Sequence, residues 1–283
     1  MPTWRIGDVS ITKVVELEAA GGLRFVLPDA TREAVAGMRW MQPHFMNETG
    51  TIVASVHALV IETPSRRIVV DTCLGNDKHT PVPLWNDRHG PFLDDLTAAG
   101  FPPESIDTVL CTHLHIDHVG WNTKLVNGAW VPTFEHARYL MVEPEFRYWR
   151  DQREDAAHAT SFAESVKPVF DAGLVDLVSG DFKVCDEVRF EPTVGHTPAH
   201  ASIRIRSKGE DALITGDFLH HPCQLARPDW VAVVDYDKAQ STRTRHEVFS
   251  ALAGTPTLMI GTHFAGPTAG HVVRDGEGYR LDV

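Results

Sequence analysis

Runs of apolar and β-branched residues, four to thirteen residues long, predict that strands make up much of this chain. Such runs cover residues 8–17, 51–63, 67–71, 106–111, 188–194, 201–205, 212–215 and 257–260. Pro64 and Ser65 separate two of these runs and indicate a hairpin. Pro192 lacks a backbone N–H, so we expect the run that contains it to lie at a sheet edge.

Helical spacing of apolar residues appears between these strands. Phe92, Leu93 and Leu96 predict a helix over residues 92–99 that ends at Gly100. Further helices are predicted over residues 143–150, 161–172 and 239–252. Because helices and strands mix and no linker or repeat separates them, we predict one α/β domain over residues 1–283, with β-sheets covered by helices.

Residues 21–50 show a different pattern, in which large apolar side chains follow no clean period. We predict a long loop there with one helical turn. Long loops without regular structure are uncommon and often functional. We therefore expect residues 20–50 to cover a pocket or to contact the second subunit of a homodimer, since dimers are the commonest assembly.

The composition narrows the classes of partner. With 43% hydrophobic and 23% charged residues the chain is typical of globular proteins, and its net charge of −12 argues against nucleic acid or an anionic membrane surface as a partner. No apolar run is long enough for a membrane span, and the N-terminus does not read as a signal peptide. The 4 widely spaced cysteines indicate free thiols and a cytoplasmic location.

The most informative stretch is Thr112-His113-Leu114-His115-Ile116-Asp117-His118, which contains three of the 16 histidines. In an extended chain, residues two apart point to the same side, so His113 and His115 project together and Asp117 follows them. His118 comes from the turn after the strand. Imidazole and carboxylate groups are good zinc ligands, and this density of them at a strand exit indicates a metal site.

Three more polar residues follow apolar strands farther along the chain. His196, Asp217 and His263 each come after a predicted strand, with a glycine one or two residues before them. Glycine lets the backbone turn sharply, and loops at strand ends commonly carry functional groups. These three residues are therefore further candidate ligands.

The motif HxHxDH followed by His, Asp and His in this order resembles the metallo-β-lactamase superfamily, over roughly residues 50–275. The resemblance implies an αββα sandwich, in which two mixed β-sheets are flanked by helices and a dinuclear metal site lies at one edge. It implies two Zn²⁺ ions, with Fe, Mn or Co as alternatives. The implied ligands are His113, His115 and His196 for the first metal, Asp117, His118 and His263 for the second, and Asp217 between them.

Within this superfamily the sequence is most similar to the branch of N-acyl-homoserine lactonases and methyl-parathion-hydrolase-like enzymes. The segment from Gly195 to Ser202, GHTPAHAS, resembles the lactonases' GHTPGHS but has Ala199 in place of glycine and an additional Ala201. The lactonases carry a tyrosine three residues after the bridging aspartate. That position is His220 here, so we expect His220 to take a catalytic role.

The function that this resemblance implies is hydrolysis by a metal-bridging hydroxide. The predicted substrate is a small ester, foremost a lactone, with organophosphate triesters as a further activity. Asp117 would bind a metal and carry a proton to the leaving group. A β-lactamase or a thioesterase is the alternative within this fold, and a non-catalytic metal-binding scaffold or sensor is the alternative outside enzymes.

Residues around the ligands complete the prediction. Asp71, at a strand end, is expected to fix a ligand histidine, or else to be a turn residue, and His200 is expected to support the site or to be structural. An apolar pocket is typical of small-molecule sites, although core packing is the alternative for each candidate. The candidates for lining it are Phe25, Trp40, Met41, Phe45 and Phe264.

Overall fold

Two β-sheets form the centre of the protein in this computed structural model, which describes residues 1–152 and 154–283. The first sheet has seven strands in the order β1-β2-β3-β4-β5-β8-β9. Strands β4, β5, β8 and β9 run parallel, and the others antiparallel. The strands are β1 (Thr3–Ile6), β2 (Val9–Ala20), β3 (Val53–Glu62), β4 (Arg67–Val70), β5 (Thr108–Leu110), β8 (Arg138–Val142) and β9 (Val175–Val178).

The second sheet has six strands in the order β10-β11-β12-β13-β14-β15. Strands β12 and β13 pair in parallel and all other neighbours are antiparallel, so both sheets are mixed. Its strands are β10 (Val188–Pro192), β11 (Ala201–Ser207), β12 (Glu210–Ile214), β13 (Leu258–Ile260), β14 (Ala269–Asp275) and β15 (Gly278–Asp282). A separate hairpin joins β6 (Thr123–Val126) to β7 (Ala129–Pro132).

Side chains that point alternately to the two faces of each strand explain why the sheets stack. In β3 and β4, Leu59, Ile61 and Ile68 point into the space between the sheets, where they meet Ile203 and Ile214 of the second sheet. Their neighbours in sequence point to the opposite face. Burying apolar side chains on both faces of each sheet supplies the main driving force for this layered packing.

Helices cover the two outer faces. On the first sheet, Phe92 and Leu96 of α2 and Phe146 of α4 join one apolar cluster, and on the second sheet Phe249 and Leu252 of α8 join another. Among residues 1–152 and 154–283 every helix is too short or too polar to span a bilayer. The helices are α1 (Arg32–Val35), α2 (Phe92–Ala98), α3 (Ile116–Val119), α4 (Glu143–Asp151), α5 (Ala156–Ser161), α6 (Lys167–Asp171), α7 (Cys223–Ala226) and α8 (Lys238–Leu252).

The predicted elements are recovered with two differences. The helix predicted over residues 161–172 begins earlier, at Ala156, and contains a π-helical turn at Phe162–Val166. Residues 21–50 contain three short helical segments rather than one turn, at Gly22–Phe25, Arg32–Val35 and Arg39–Met41. The strand that ends at Pro192 lies at a sheet edge, as predicted.

The topology brings several strand ends to one edge of the sandwich. Strands β4 and β5 are parallel, so Asp71 and Thr112 lie side by side after them. Strands β12 and β13 are parallel, which places Asp217 near His263. Because β10 is antiparallel to β11, His196 emerges after β10 at this same edge. All the predicted ligand residues therefore come from one edge.

Candidate metal centre

The loops that carry the ligands turn tightly, and two glycines make this possible. Gly216 has φ +59°, and a Cβ there would lie 2.4 Å from Nε2 of His200. Gly195 has φ +130°, and a Cβ there would lie 2.4 Å from the backbone N of Ser241. No larger residue fits at either position, so these loops need the glycine that precedes each ligand.

Three histidines form the first ligand group. Nδ1 of His115 lies 3.0 Å from Nε2 of His113 and 2.9 Å from Nε2 of His196. Burial, reinforced by the neighbouring histidines, lowers the pKa of His113 and His115 well below the ordinary value. Neutral imidazoles are the form that binds a metal.

Asp117, His118 and His263 form the second group. Nε2 of His118 and Nε2 of His263 lie 3.3 Å apart, and oxygens of Asp117 lie 3.7 Å from the former and 3.6 Å from the latter. Burial opposes charge on His118, but Asp217, Asp117 and Asp71 outweigh it and raise its pKa well above the ordinary value. The surrounding carboxylates thus favour a cation at this nitrogen.

Asp217 joins the two groups. Its Oδ2 lies 3.1 Å from Nε2 of His263 and 3.3 Å from Nε2 of His118, both in the second group. The same oxygen lies 3.8 Å from Nε2 of His196 and 3.9 Å from Nε2 of His113, both in the first. One carboxylate therefore borders both groups, in the place expected for a bridging ligand.

Hydrogen bonds on the outer side fix the ligand histidines. Nδ1 of His118 donates to Asp71 at 2.9 Å, and Nδ1 of His263 donates to the backbone O of Ser55 at 3.1 Å. Nδ1 of His113 faces Oγ1 of Thr112 at 3.1 Å, and this hydroxyl donates to Asp71. Asp71 thus lies where the sequence predicted it, holding one ligand directly and another through Thr112.

Asp235 was missed by the sequence reasoning. Its Oδ1 accepts a hydrogen bond from Nδ1 of His196 at 3.0 Å. Burial opposes charge on Asp235, but the bond from His196 and the nearby cationic groups lower its pKa to about 2. Asp235 lies in a loop 39 positions from His196, and no motif or spacing in the sequence connects them.

The donor set fits metal ions. Since Nδ1 donates outward in four ligand histidines, their Nε2 lone pairs all point inward. Nitrogens brought within 2.9–3.3 Å of one another need a proton or a metal ion between them. In addition, Oδ1 of Asp217 is buried and has no hydrogen-bond partner among the described residues. Imidazole and carboxylate ligands in these two groups suit zinc.

His200 lies directly behind Asp217. Its Nε2 accepts a hydrogen bond from the backbone N of Asp217 at 2.8 Å, and its Nδ1 lies 3.0 Å from the backbone O of Thr193. Burial lowers its pKa to about 3, so the ring is neutral and can accept this bond. His200 therefore positions the backbone of Asp217 and binds no metal itself.

His220 lies inside the site. Its Nε2 is 3.5 Å from Oδ2 of Asp217, and its ring centroid is 4.8 Å from that of His196. Burial lowers its pKa to about 4. Both ring nitrogens are buried without a hydrogen-bond partner in the described part of the chain. A neutral imidazole with free nitrogens beside the ligands is able to bind a metal or to donate to a substrate.

The predicted apolar pocket needs correction. Met41, Phe45 and Phe264 are fully buried in the core beneath the second sheet, where the Phe45 and Phe264 rings lie 6.0 Å apart. Trp40 packs against this core from its edge. Phe25 is 82% exposed and lines a surface cavity of about 540 Å³ whose lining residues include none of the ligands. Core burial, the alternative considered for each residue, accounts for three of the five.

Different aromatic residues surround the ligands. Trp149 and His158 stack on each other, and both rings contact His115 at centroid distances of 5.1 and 5.0 Å. Tyr148 contacts Tyr236, whose backbone N donates to the backbone O of His196. His115 and Asp117 are the only partly exposed ligands among the seven. Aromatic rings therefore lie next to His115, one of these two partly exposed residues.

A model of the metallo-β-lactamase superfamily matches residues 52–263. The chain belongs to the metallo-β-lactamase superfamily. The match includes Asp71 and all seven predicted ligands, and it confirms the resemblance inferred from HxHxDH and the residues after it. The strand ends and the loops after them are thus arranged as in a known superfamily.

Relatives with known names are more distant. An N-acyl homoserine lactonase of a Bacillus species is 26% identical over 176 residues, which make up 57% of this chain and 63% of that protein. An N-acyl homoserine lactonase of Bacillus thuringiensis is 23% identical over 172 residues, 56% of this chain and 61% of that protein. The chain thus spans just 61–63% of the length of these curated relatives.

Solved structures share the whole architecture. AidC, a dizinc quorum-quenching lactonase solved with the product N-hexanoyl-L-homoserine, has a TM-score of 0.79 at 18% identity, over 99% of this chain and 95% of AidC. The hydrolase AbOPH of the β-lactamase superfamily has a TM-score of 0.80 at 24% identity, over 100% of this chain and 97% of AbOPH. At these identities the likeness concerns the fold, and it confirms the predicted αββα class.

Proposed function

We propose that this protein is a dinuclear zinc hydrolase of small uncharged esters, with lactones as the preferred class. The observation that carries the proposal is the pair of ligand groups that share Oδ2 of Asp217. Structural zinc sites hold one ion closed by four protein ligands, whereas here each of two ions would have three ligands of its own and share Asp217, which is the arrangement of two-metal hydrolytic sites. This arrangement favours catalysis over a scaffold or sensor.

Two bound metal ions would supply a water molecule of lowered pKa and polarise an ester oxygen. The protein supplies the proton path. Asp117 is the partly exposed carboxylate of the site, with its oxygens 3.6–3.7 Å from the nearest ligand nitrogens. An oxygen of Asp117 is placed to take up a proton from the attacking water and return it to the leaving oxygen.

His220 takes the place of the lactonase tyrosine in this proposal. Its free nitrogens and low pKa give a neutral N–H that would donate to the ester carbonyl oxygen as charge develops there. Because the ring is buried, water does not compete with the substrate for its N–H. The residue orients the substrate and stabilises the transition state without carrying a charge of its own.

The opening of the site favours an apolar substituent on the ester. Tyr148 and Tyr236 contact each other at 5.3 Å, and Tyr236 is 61% exposed next to the partly exposed Val233 and Val234. Aromatic and aliphatic side chains at the opening would bind an acyl chain by burying apolar surface. The lactonase names of the Bacillus relatives support this substrate class.

The test is a substrate panel run on protein of measured zinc content. kcat/KM is compared for an N-acyl homoserine lactone, a β-lactam, a thioester and an organophosphate triester, with Asp217→Ala as the inactive control. We expect the lactone to lead by tenfold or more, about 1.4 kcal/mol in transition-state binding. A lead for the β-lactam or thioester would replace the proposal by that alternative. Bound zinc with no turnover of any ester would favour the scaffold.

The domain organisation, the location and the assembly of the protein are also proposed. We propose that residues 1–283 form one domain, because residues 20–50 pack Leu27, Val35 and Met41 into the core that α8 covers. We propose a cytoplasmic location, since all four cysteines are free thiols. A homodimer through residues 20–50 stays a prediction, which the molar mass in solution tests.

A further inference from the structure

Glu145 is a buried carboxylate that the proposed reaction does not use. It lies on α4, is 1% exposed and faces the first ligand group rather than solvent. Burying a carboxylate is costly unless hydrogen bonds compensate for the lost water. The hydrogen bonds that compensate Glu145 therefore indicate its role.

Each oxygen of Glu145 accepts two hydrogen bonds. Oε1 accepts from Nε1 of Trp149 at 2.6 Å and, at 3.4 Å, from the backbone N of Leu114. Oε2 accepts from Oγ1 of Thr197 at 2.8 Å and from the backbone N of Ala199 at 3.1 Å. One side chain thus connects α4 to two separate loops.

Both of these loops carry ligands of the first metal group. Leu114 lies between His113 and His115, and Thr197 directly follows His196. The ring of Trp149, which Glu145 also holds, contacts the ring of His115. Four of the candidate ligand histidines have a protein hydrogen bond on the outer nitrogen, and among residues 1–152 and 154–283 His115 has none. His115 is instead positioned by packing against Trp149, whose indole N–H donates to Glu145.

We propose that Glu145 is the positioning residue of the first metal site, fixing the separation of the two loops that carry His113, His115 and His196. The proposal rests on the metal site described under Proposed function but not on its substrate. Glu145 acts through backbone and packing and touches neither the metal nor the substrate.

The effect should be selective between the two sites. His118 is held by Asp71 and His263 by the backbone of Ser55, and neither contact involves Glu145. Loosening the two loops therefore weakens the three-histidine site and leaves the other site in place. A merely structural glutamate would lower stability without this difference between sites.

Glu16 offers a matched control in the same chain. Its carboxylate also accepts two backbone hydrogen bonds and one from a tryptophan, namely from Leu74 at 2.7 Å, Gly75 at 3.2 Å and Nε1 of Trp121 at 2.7 Å. None of these three donors lies in the loops of the first metal group. Glu16→Gln therefore measures the loss of stability and of zinc affinity that follows from replacing a buried carboxylate outside these loops.

The experiment is a zinc titration of metal-free Glu145→Gln, Glu16→Gln and the unmodified protein, followed by ¹⁵N NMR of labelled imidazoles. Nδ1 of His115 faces the other candidate ligands, whereas the other histidines face them with Nε2, so bound zinc would give separable signals for the two sites. Glutamine keeps one acceptor oxygen but places an NH₂ group opposite a hydrogen-bond donor, so the hydrogen bonds to the second oxygen are lost. Thermal unfolding of each metal-free variant measures stability separately.

We expect Glu145→Gln to raise the Kd of the first site about tenfold, the lower end of the range for residues that support metal ligands. The second site should change less than about twofold, and Glu16→Gln should leave both sites near the unmodified value. Equal weakening of both sites, or no change, would overturn the proposal. Because zinc affinity is measured without substrate, failure of the lactone proposal would not affect this result.

A second variant keeps the test decisive if Glu145→Gln does not fold. Thr197→Val removes one hydroxyl donor and retains the shape of the side chain. We expect a smaller rise in the Kd of the first site, about threefold, again with the second site unchanged. An unchanged first site in folded Thr197→Val would count against the proposal.

Discussion

Asp235 accepts a hydrogen bond from Nδ1 of His196 at 3.0 Å and holds that ring with Nε2 facing the other ligands. Its second oxygen accepts from the backbone N of Ala232 at 3.1 Å and lies 3.6 Å from Nη1 of Arg245. The carboxylate is thus fixed from three sides. Asp235 selects the tautomer of His196 that can bind a metal through Nε2.

Replacement of this carboxylate should therefore weaken metal binding. We predict that Asp235→Asn raises the zinc Kd about 10- to 100-fold, because an amide holds the Nδ1–H of His196 less well. The measurement is chelator competition at fixed pH. Asp229→Asn is the matched control, since Asp229 pairs with His246 at 2.8 Å on the surface, and it should bind zinc normally. Normal affinity in Asp235→Asn would contradict the assigned role.

His220 should matter for turnover and not for metal content. We predict that His220→Phe lowers kcat on a lactone about 100-fold, the usual loss when one donor to a developing oxyanion is removed. His220→Tyr restores a hydroxyl donor and should recover most of the rate. Zinc per protein is measured in both variants. Loss of one zinc in His220→Phe would instead show that His220 is a metal ligand.

Removal of the metals should destabilise the protein. The nitrogens of His118 and His263 lie 3.3 Å apart beside Asp117 and Asp217, so a bound metal ion would hold this group of residues together. Ligand at 100 times its Kd stabilises by about 2.7 kcal/mol, which corresponds to a rise in Tm of about 5 °C for a chain of this size. We expect a chelator to lower Tm by that amount and zinc to restore it. An identical Tm with and without zinc would argue against bound metal.

A buried lysine predicts how stability varies with pH. Burial lowers the pKa of Lys78 to about 7, although its Nζ donates to Thr123 and lies over the ring of Trp130. Between pH 7 and 10 the unfolded chain binds a proton that the folded protein has released. Lys78 should therefore make the free energy of unfolding of the metal-free protein rise with pH, contributing about 1 kcal/mol per unit near pH 8–9.

Urea unfolding at several pH values measures this slope. Lys78→Met keeps the apolar stem of the side chain but cannot titrate, so it should flatten the dependence. Lys208→Met replaces an exposed lysine that pairs with Asp8 and should keep the original slope. A slope that is the same in Lys78→Met and the unmodified protein would refute this prediction. The residual slope in Lys78→Met is assigned to Lys13, whose pKa burial lowers to about 8.

Local patterns were sufficient for much of the fold. The hairpin of β3 and β4, the helix α8 and the edge position of β10 were predicted because alternation, helical spacing and Pro192 act within a few residues. The strands β14 and β15 near the C-terminus were not predicted. Their apolar residues, such as Val272 and Leu281, are few and become recognisable only once they pack on the second sheet.

The sequence by itself determined the superfamily and the candidate ligands, because HxHxDH concentrates metal-binding groups within six residues and each later ligand follows a strand. Apart from Asp71, only the tertiary structure decided which residues hold these candidate ligands in place. Asp235 lies 39 positions from His196, and Glu145 lies 52 positions from Thr197. The structure also buries the predicted pocket residues Phe45 and Phe264 in the core and places Tyr148 and Tyr236 near His196. Burial and hydrogen bonding between distant segments depend on how the sheets stack, and no local spacing records that.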